Sequence, residues 1–70
     1  MFMKDFAKRL KDTINASGLT QGQLAARVNV SRTAISDYCN GNALPSLAVF
    51  TKICKELDES ADYLLGLKTY

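Results

Sequence analysis

The chain is closely punctuated by helix stops and starts. Gly18 is followed by Thr20, Asn29 by Ser31, and Gly41 by Pro45-Ser46; a last start and stop stand at Ser60 and Gly66. Gly and Asn accept the left-handed conformation that ends a helix. Ser and Thr side chains satisfy the free amides at a helix start. The spacing leaves room only for short elements, and the apolar residues between the marks recur at steps of three and four, never in strand-like alternation. There is no internal repeat and no low-complexity segment. The expected fold is all-α: a compact five-helix bundle around one core, with residues 1–70 as one domain.

The first segment, 3–17, carries Phe6, Ala7, Leu10 and Ile14 on one stripe with lysines opposite. Thr20-Gln21-Gly22-Gln23 has the capping-box form and opens a second helix through Leu24, Ala25 and Val28. Gly22 in its first turn costs up to about 1 kcal/mol relative to Ala. Ser31 opens a third helix running to about Asn40. Residues 40–45 form a loop, and a fourth helix from Pro45-Ser46 is expected to face the core with Leu47, Phe50, Ile53, Cys54 and Leu57. The last helix carries Ala61, Leu64 and Leu65.

Composition excludes several functions. The chain has no His, the commonest general base and metal ligand, and its two cysteines, Cys39 and Cys54, cannot complete a zinc site. No metal and no cofactor are expected, and the thiols read as free and buried in a cytoplasmic protein. There is no nucleophile–base pair, no carboxylate pair at a defined site and no phosphate-binding glycine loop, so an enzyme is not expected. No apolar run approaches the roughly 20 residues of a membrane span. MFMKDF is too short and too charged for a signal peptide. The net charge of +2 decides little, but its distribution is uneven: residues 1–41 hold six basic residues against three acidic, and residues 42–70 three against four. A polyanion would prefer the first part.

The third helix has two faces. At about 100° per residue, with Arg32 at zero, Ser36 falls near 40°, Asn40 near 80°, Thr33 near 100° and Asp37 near 140°. Ala34, Ile35 and Tyr38 take the opposite side, and Cys39 falls on the border beside Arg32. An ordinary solvated face carries Lys and Glu at i,i+4 spacing; this arc instead holds short hydrogen-bonding groups and one bidentate donor, which suit base edges and phosphates. Two short helices joined by about four residues, VNVS, make a helix-turn-helix from the second and third helices. The second helix of that unit enters the DNA major groove.

At this point the chain resembles the lambda-repressor-like helix-turn-helix family, the Cro and phage-repressor type also called the xenobiotic-response-element type. The matching segments are RLK at 9–11, GLTQ at 18–21, QLA at 23–25, VSRTAIS at 30–36, NG at 40–41, PSL at 45–47 and SADYLLG at 60–66. Their order and spacing carry the resemblance over nearly the whole chain. It implies sequence-specific binding to a double-stranded DNA operator in a bacterial or phage setting, by a transcriptional regulator, a repressor, acting as a dimer.

Carried over by position, the resemblance implies that Gln21 opens the scaffold helix, bonds a phosphate and braces the recognition helix. Arg32 and Thr33 match the first base-contacting positions, where Arg32 would take guanine O6 and N7. Ser36 and Asp37 match later exposed positions; Asp37 would accept from a cytosine or adenine amino group, or brace Thr33. Asn40 matches a phosphate-contacting position, and Thr20 would cap its helix while offering its backbone N–H to a phosphate.

Three departures stand out. Many members have Gly at the position of Asn29 and a better helix former at Gly22. Many also have a partly buried ion pair at the positions of Ile14 and Cys39, where this chain is apolar at both. Ile14 and Cys39 are therefore expected to touch. The dimer contact is expected among Val49, Leu65, Leu67 and Tyr70, apolar residues that a core this small need not absorb. A second reading keeps the fold and changes the partner: a protein-interaction module, such as an antitoxin or accessory subunit.

Overall fold

The computed structural model describes residues 2–68 of the chain. Those residues form five helices and no strand: α1 (Phe2–Ser17), α2 (Gln21–Val28), α3 (Arg32–Asn40), α4 (Leu47–Leu57) and α5 (Ala61–Leu64). The expected stops hold. Gly18, Gly41 and Gly66 all take positive φ, and so does Asn29 (φ 60°), the left-handed C-cap of α2; Asp58 (φ 51°), not among the expected stops, ends α4 in the same way. The expected starts hold as well: the side chains of Thr20, Ser31, Ser46 and Ser60 each accept a hydrogen bond from the amide three residues on.

α3 packs on α1 and α2, α4 on α2 and α1, and α5 on α1. The core at their meeting point contains Leu10, Ile14, Leu24, Val28, Ile35, Ile53 and Leu64 with almost no exposure. Phe6 and Phe50 close one end with their rings edge to face, centroids 5.8 Å apart. Arg9 lies over the Tyr63 ring at 5.6 Å and so joins α1 to α5. Ile14 and Cys39 are buried members of this one cluster. The border residue Cys39 has therefore moved inward, and it occupies core volume.

Three expectations about apolar residues need correction. Leu47 was placed on the core face of α4 and is 83% exposed. The phase explains it. With Phe50 at zero, Ile53 and Leu57 fall near −60° and −20°, so the face is centred near −30° and Leu47, near 60°, stands about 90° away. Cys54 lies off centre on the same side and is half-buried, where full burial was expected. Val49 and Leu65, expected as exposed contact residues, are half-buried against the core; Leu67 is exposed. Tyr70 lies outside the described residues.

Candidate nucleic-acid interface

The turn between α2 and α3 is built by local bonds. The Asn29 amide donates to the Ala25 carbonyl from its left-handed conformation, and the Val30 amide donates to the same carbonyl at 3.0 Å. Val30 then packs against the core. Ser31 follows as N-cap of α3, its Oγ accepting from the Ala34 amide at 3.0 Å. The turn thus has one route, and the two helices meet at a fixed angle over Leu24, Val28 and Ile35.

At the far end of α2, Thr20 makes the full capping box. Its Oγ1 accepts from the Gln23 amide at 3.0 Å, and its own amide donates to Gln23 Oε1 at 2.9 Å. The expectation that Thr20 offers its N–H to a phosphate is therefore corrected, because that donor already has an acceptor. The unsatisfied donors are one and two residues on: no acceptor for the Gln21 and Gly22 amides is found among the described residues. A helix leaves such groups free at its N-terminus, pointing along the axis.

The polar arc of α3 faces outward as its spacing requires. Arg32, Thr33 and Asn40 are exposed and Ser36 and Asp37 half-exposed, while Ile35, Tyr38 and Cys39 are buried beneath them. Asn40 Nδ2 donates to Ser36 Oγ at 3.4 Å, so these two are held side by side. Asp37 does not brace Thr33; no bond joins them. The Asp37 carbonyl instead accepts from the Gly41 and Asn42 amides and ends the helix.

The electrostatics of this corner have one sign. Neither α2 nor α3 has an acidic residue in its first turn, so nothing offsets the positive end of either helix dipole. Arg32 starts α3 and has no carboxylate partner among the described residues. Its stem lies over the start of α2, close to Gly22. Two helix N-termini and an unpaired guanidinium therefore share one exposed corner, an arrangement suited to phosphate oxygens.

A helix-turn-helix family model matches residues 10–64, which takes in the turn, both flanking helices and the core that supports them. The chain belongs to the lambda-repressor-like helix-turn-helix family. Membership supports a DNA-binding regulator and not an enzyme. Among solved structures, this helix-turn-helix chain is similar to the restriction-modification controller protein C.AhdI from Aeromonas hydrophila: 27% identity, TM-score 0.82, covering 89% of this chain and 94% of the other. The SOS-response transcriptional repressor LexA from Eubacterium rectale has the same fold, with 22% identity and TM-score 0.86 over 91% of this chain and 68% of the other. So has the clp gene regulator ClgR from Corynebacterium glutamicum, with 22% identity and TM-score 0.86 over 93% and 69%. No curated protein sequence matches the chain.

Other candidate chemistry is weak. Burial pushes the Cys39 thiol up from its ordinary value, against a smaller opposing effect of Lys11. Burial likewise raises the Cys54 thiol, with Glu59 adding to the effect. Both thiols are thus kept protonated and poorly nucleophilic. No group of three or more potential metal ligands occurs among the described residues, and no helix among them is long and apolar enough to cross a membrane. Sequence reasoning missed two features. Gly22 was read only as a weak helix residue, and Leu44 and Leu47 were not read as surface. The Leu47 phase could have been taken from the helical angles; Leu44 sits in a loop, where no periodicity exists.

Proposed function

We propose that residues 1–70 form one sequence-specific double-stranded DNA-binding domain of a cytoplasmic transcriptional regulator, a repressor, which inserts α3 into the major groove. The observation that carries the reading is the undivided positive corner: unpaired Arg32 and the acid-free starts of α2 and α3 beside the outward arc of Thr33, Ser36, Asp37 and Asn40. The amides of Gln21 and Gly22, with the Gln21 side chain, hold a phosphate. Thr20 shapes that site through its capping box. Arg32 and Thr33 read bases near the start of α3, Ser36 and Asp37 read further along, and Asn40 meets the backbone beyond.

One such helix reads only about four or five base pairs, too few to select a site in a genome. The protein therefore acts as a homodimer on half-sites roughly 34 Å apart. The contact expected at Val49, Leu65, Leu67 and Tyr70 shifts toward the loop after α3. There, Leu44 is 50% and Leu47 83% exposed. Together with Phe6, Pro45, Phe50 and Leu65 they line an apolar groove of about 170 Å³. That is smaller than the roughly 300 Å³ of a small-molecule site, and it suits a leucine side chain from a second copy. The groove directly follows α3 in the chain, so pairing there sets two recognition helices in fixed relation.

A gel shift on duplexes selected from a random pool tests the reading. Affinity should fall by orders of magnitude between about 50 and 200 mM salt, as phosphate contacts require. Arg32→Ala should cost about 1–3 kcal/mol on the selected site and relax the preference at one base pair. Absence of binding even at low salt would favour the protein-interaction module instead.

A further inference from the structure

Gly22 works against its own helix. It is the second residue of an α2 only eight residues long, where a better helix former such as alanine would favour the helix more. Its backbone gives no reason for glycine, since the positive-φ glycines of the described chain are Gly18, Gly41 and Gly66. It makes no turn and ends no helix.

What lies above it sets a limit on side-chain size. A Cβ added at Gly22 would stand 3.6 Å from Arg32 Cδ, 4.0 Å from Arg32 Nε and 3.9 Å from Thr20 Oγ1. The stem of Arg32 therefore passes the start of α2 about one methyl group's width from Gly22. A single methyl group fits there at ordinary contact distance. A larger side chain sends its next atoms toward the path that the arginine stem now takes. Arg32 is exposed and has no ion-pair partner among the described residues, so the room left beside Gly22 bears directly on the path its stem takes.

We propose that Gly22 is a positioning residue for Arg32, and through it a determinant of DNA specificity. The inference rests on the reading of Arg32 as a base contact. A small residue at position 22 leaves the aliphatic stem its path past the start of α2, with the guanidinium extending beyond it toward the groove. An arginine whose path stays open before binding needs less rearrangement when it meets its base. The smallness of residue 22 thus has a role outside its own helix, in the geometry of the reading residue on α3. The same argument sets the size limit at position 22: Gly and Ala are compatible with the stem's path, and longer residues are not.

The test compares Gly22→Ala, Gly22→Leu and Gly22→Gln, each in the native chain and combined with Arg32→Ala. Affinities are measured for a selected duplex and for the same duplex changed at the base pair whose preference Arg32→Ala relaxes. Gly22→Ala should reduce the discrimination between the duplexes less than either larger substitution does, because its methyl group fits beside the stem. Gly22→Leu and Gly22→Gln should each lower it by about tenfold, within the worth of one bidentate base contact, and should lower it no further in the Arg32→Ala background. Circular dichroism should show undiminished helix content, since both residues are better helix formers than glycine. Retained discrimination in the Leu and Gln variants overturns the proposal, as does an equal loss with Arg32 absent. In either case Arg32 still stands as a base contact. If Arg32→Ala weakens binding equally on every duplex, the base reading itself fails, and the role of Gly22 falls with it.

Discussion

From Thr20 to Gly41 the large apolar side chains turn toward the core, whereas from Asn42 to Leu47 two of them, Leu44 and Leu47, are 50% and 83% exposed. In the first region Leu24, Val28, Ile35 and Tyr38 are buried and the outward surface is left to polar groups. In the second the chain is a loop and the first turn of a helix, with no neighbouring element to cover it. The two regions are adjacent in sequence and suit different partners. A surface with two unsatisfied amides and one unpaired cation, and a single carboxylate at Asp37, suits a polyanion whose phosphates replace water at the donors. A surface of two leucines around a shallow groove gains from losing water altogether.

The largest expected effect tests the first region from beneath. Ile14→Arg or Cys39→Glu alone should destabilise the fold by about 3–5 kcal/mol, because each places one charge in the core under α3 without a partner. The double variant should recover much of that loss by forming the pair. Urea denaturation of all four chains measures it, and a double variant no better than the sum of the singles means that positions 14 and 39 do not meet. A smaller effect separates the two regions. Ser31→Ala and Ser46→Ala remove equivalent caps, whose hydroxyls accept from Ala34 and Val49, and each should cost about 1 kcal/mol of stability. Only Ser31→Ala should also weaken operator binding at a temperature where both variants remain folded. Equal losses of DNA affinity would erase the distinction drawn between the regions.

The smallest effect on stability belongs to the exposed leucines. Leu44→Ser with Leu47→Ser should change the unfolding free energy by no more than about 0.5 kcal/mol per site. It should nevertheless convert the proposed dimer to monomers in analytical ultracentrifugation and weaken binding to a two-fold operator far more than to a single half-site. A dimer that survives both substitutions moves the contact elsewhere, with the exposed Leu67 as the next position to change.

Local chemistry made most of this fold legible in the sequence. A cap is a bond between residues three apart, so Thr20, Ser31, Ser46 and Ser60 could be read without knowing the tertiary structure. The stripe of α1 was equally plain, because Phe6, Ala7, Leu10 and Ile14 repeat over several turns. Leu47 lies three residues before Phe50 and so passes for a core position by step alone, although the angles of Phe50, Ile53 and Leu57 put it about 90° off their face. Leu44 offered no period at all. The outward arc of α3 was legible as geometry, but the lack of any acid at the starts of both α2 and α3 became meaningful only once the two starts were seen to share a corner. Gly22 shows the same limit: its cost to the helix is local and visible, while its contact with Arg32 spans ten residues and depends on how the turn folds back.

The capping box of Thr20 has a consequence for how this protein can be observed. Thr20 and Gln23 bond each other's amides and leave those of Gln21 and Gly22 between them without acceptors. In the free protein this pair of amides should exchange hydrogen with solvent faster than the bonded amides later in the same helix. A phosphate seated there would slow two adjacent amides and leave their neighbours unchanged. The start of α2 is thus a native reporter of occupancy, readable one residue at a time and without any added label.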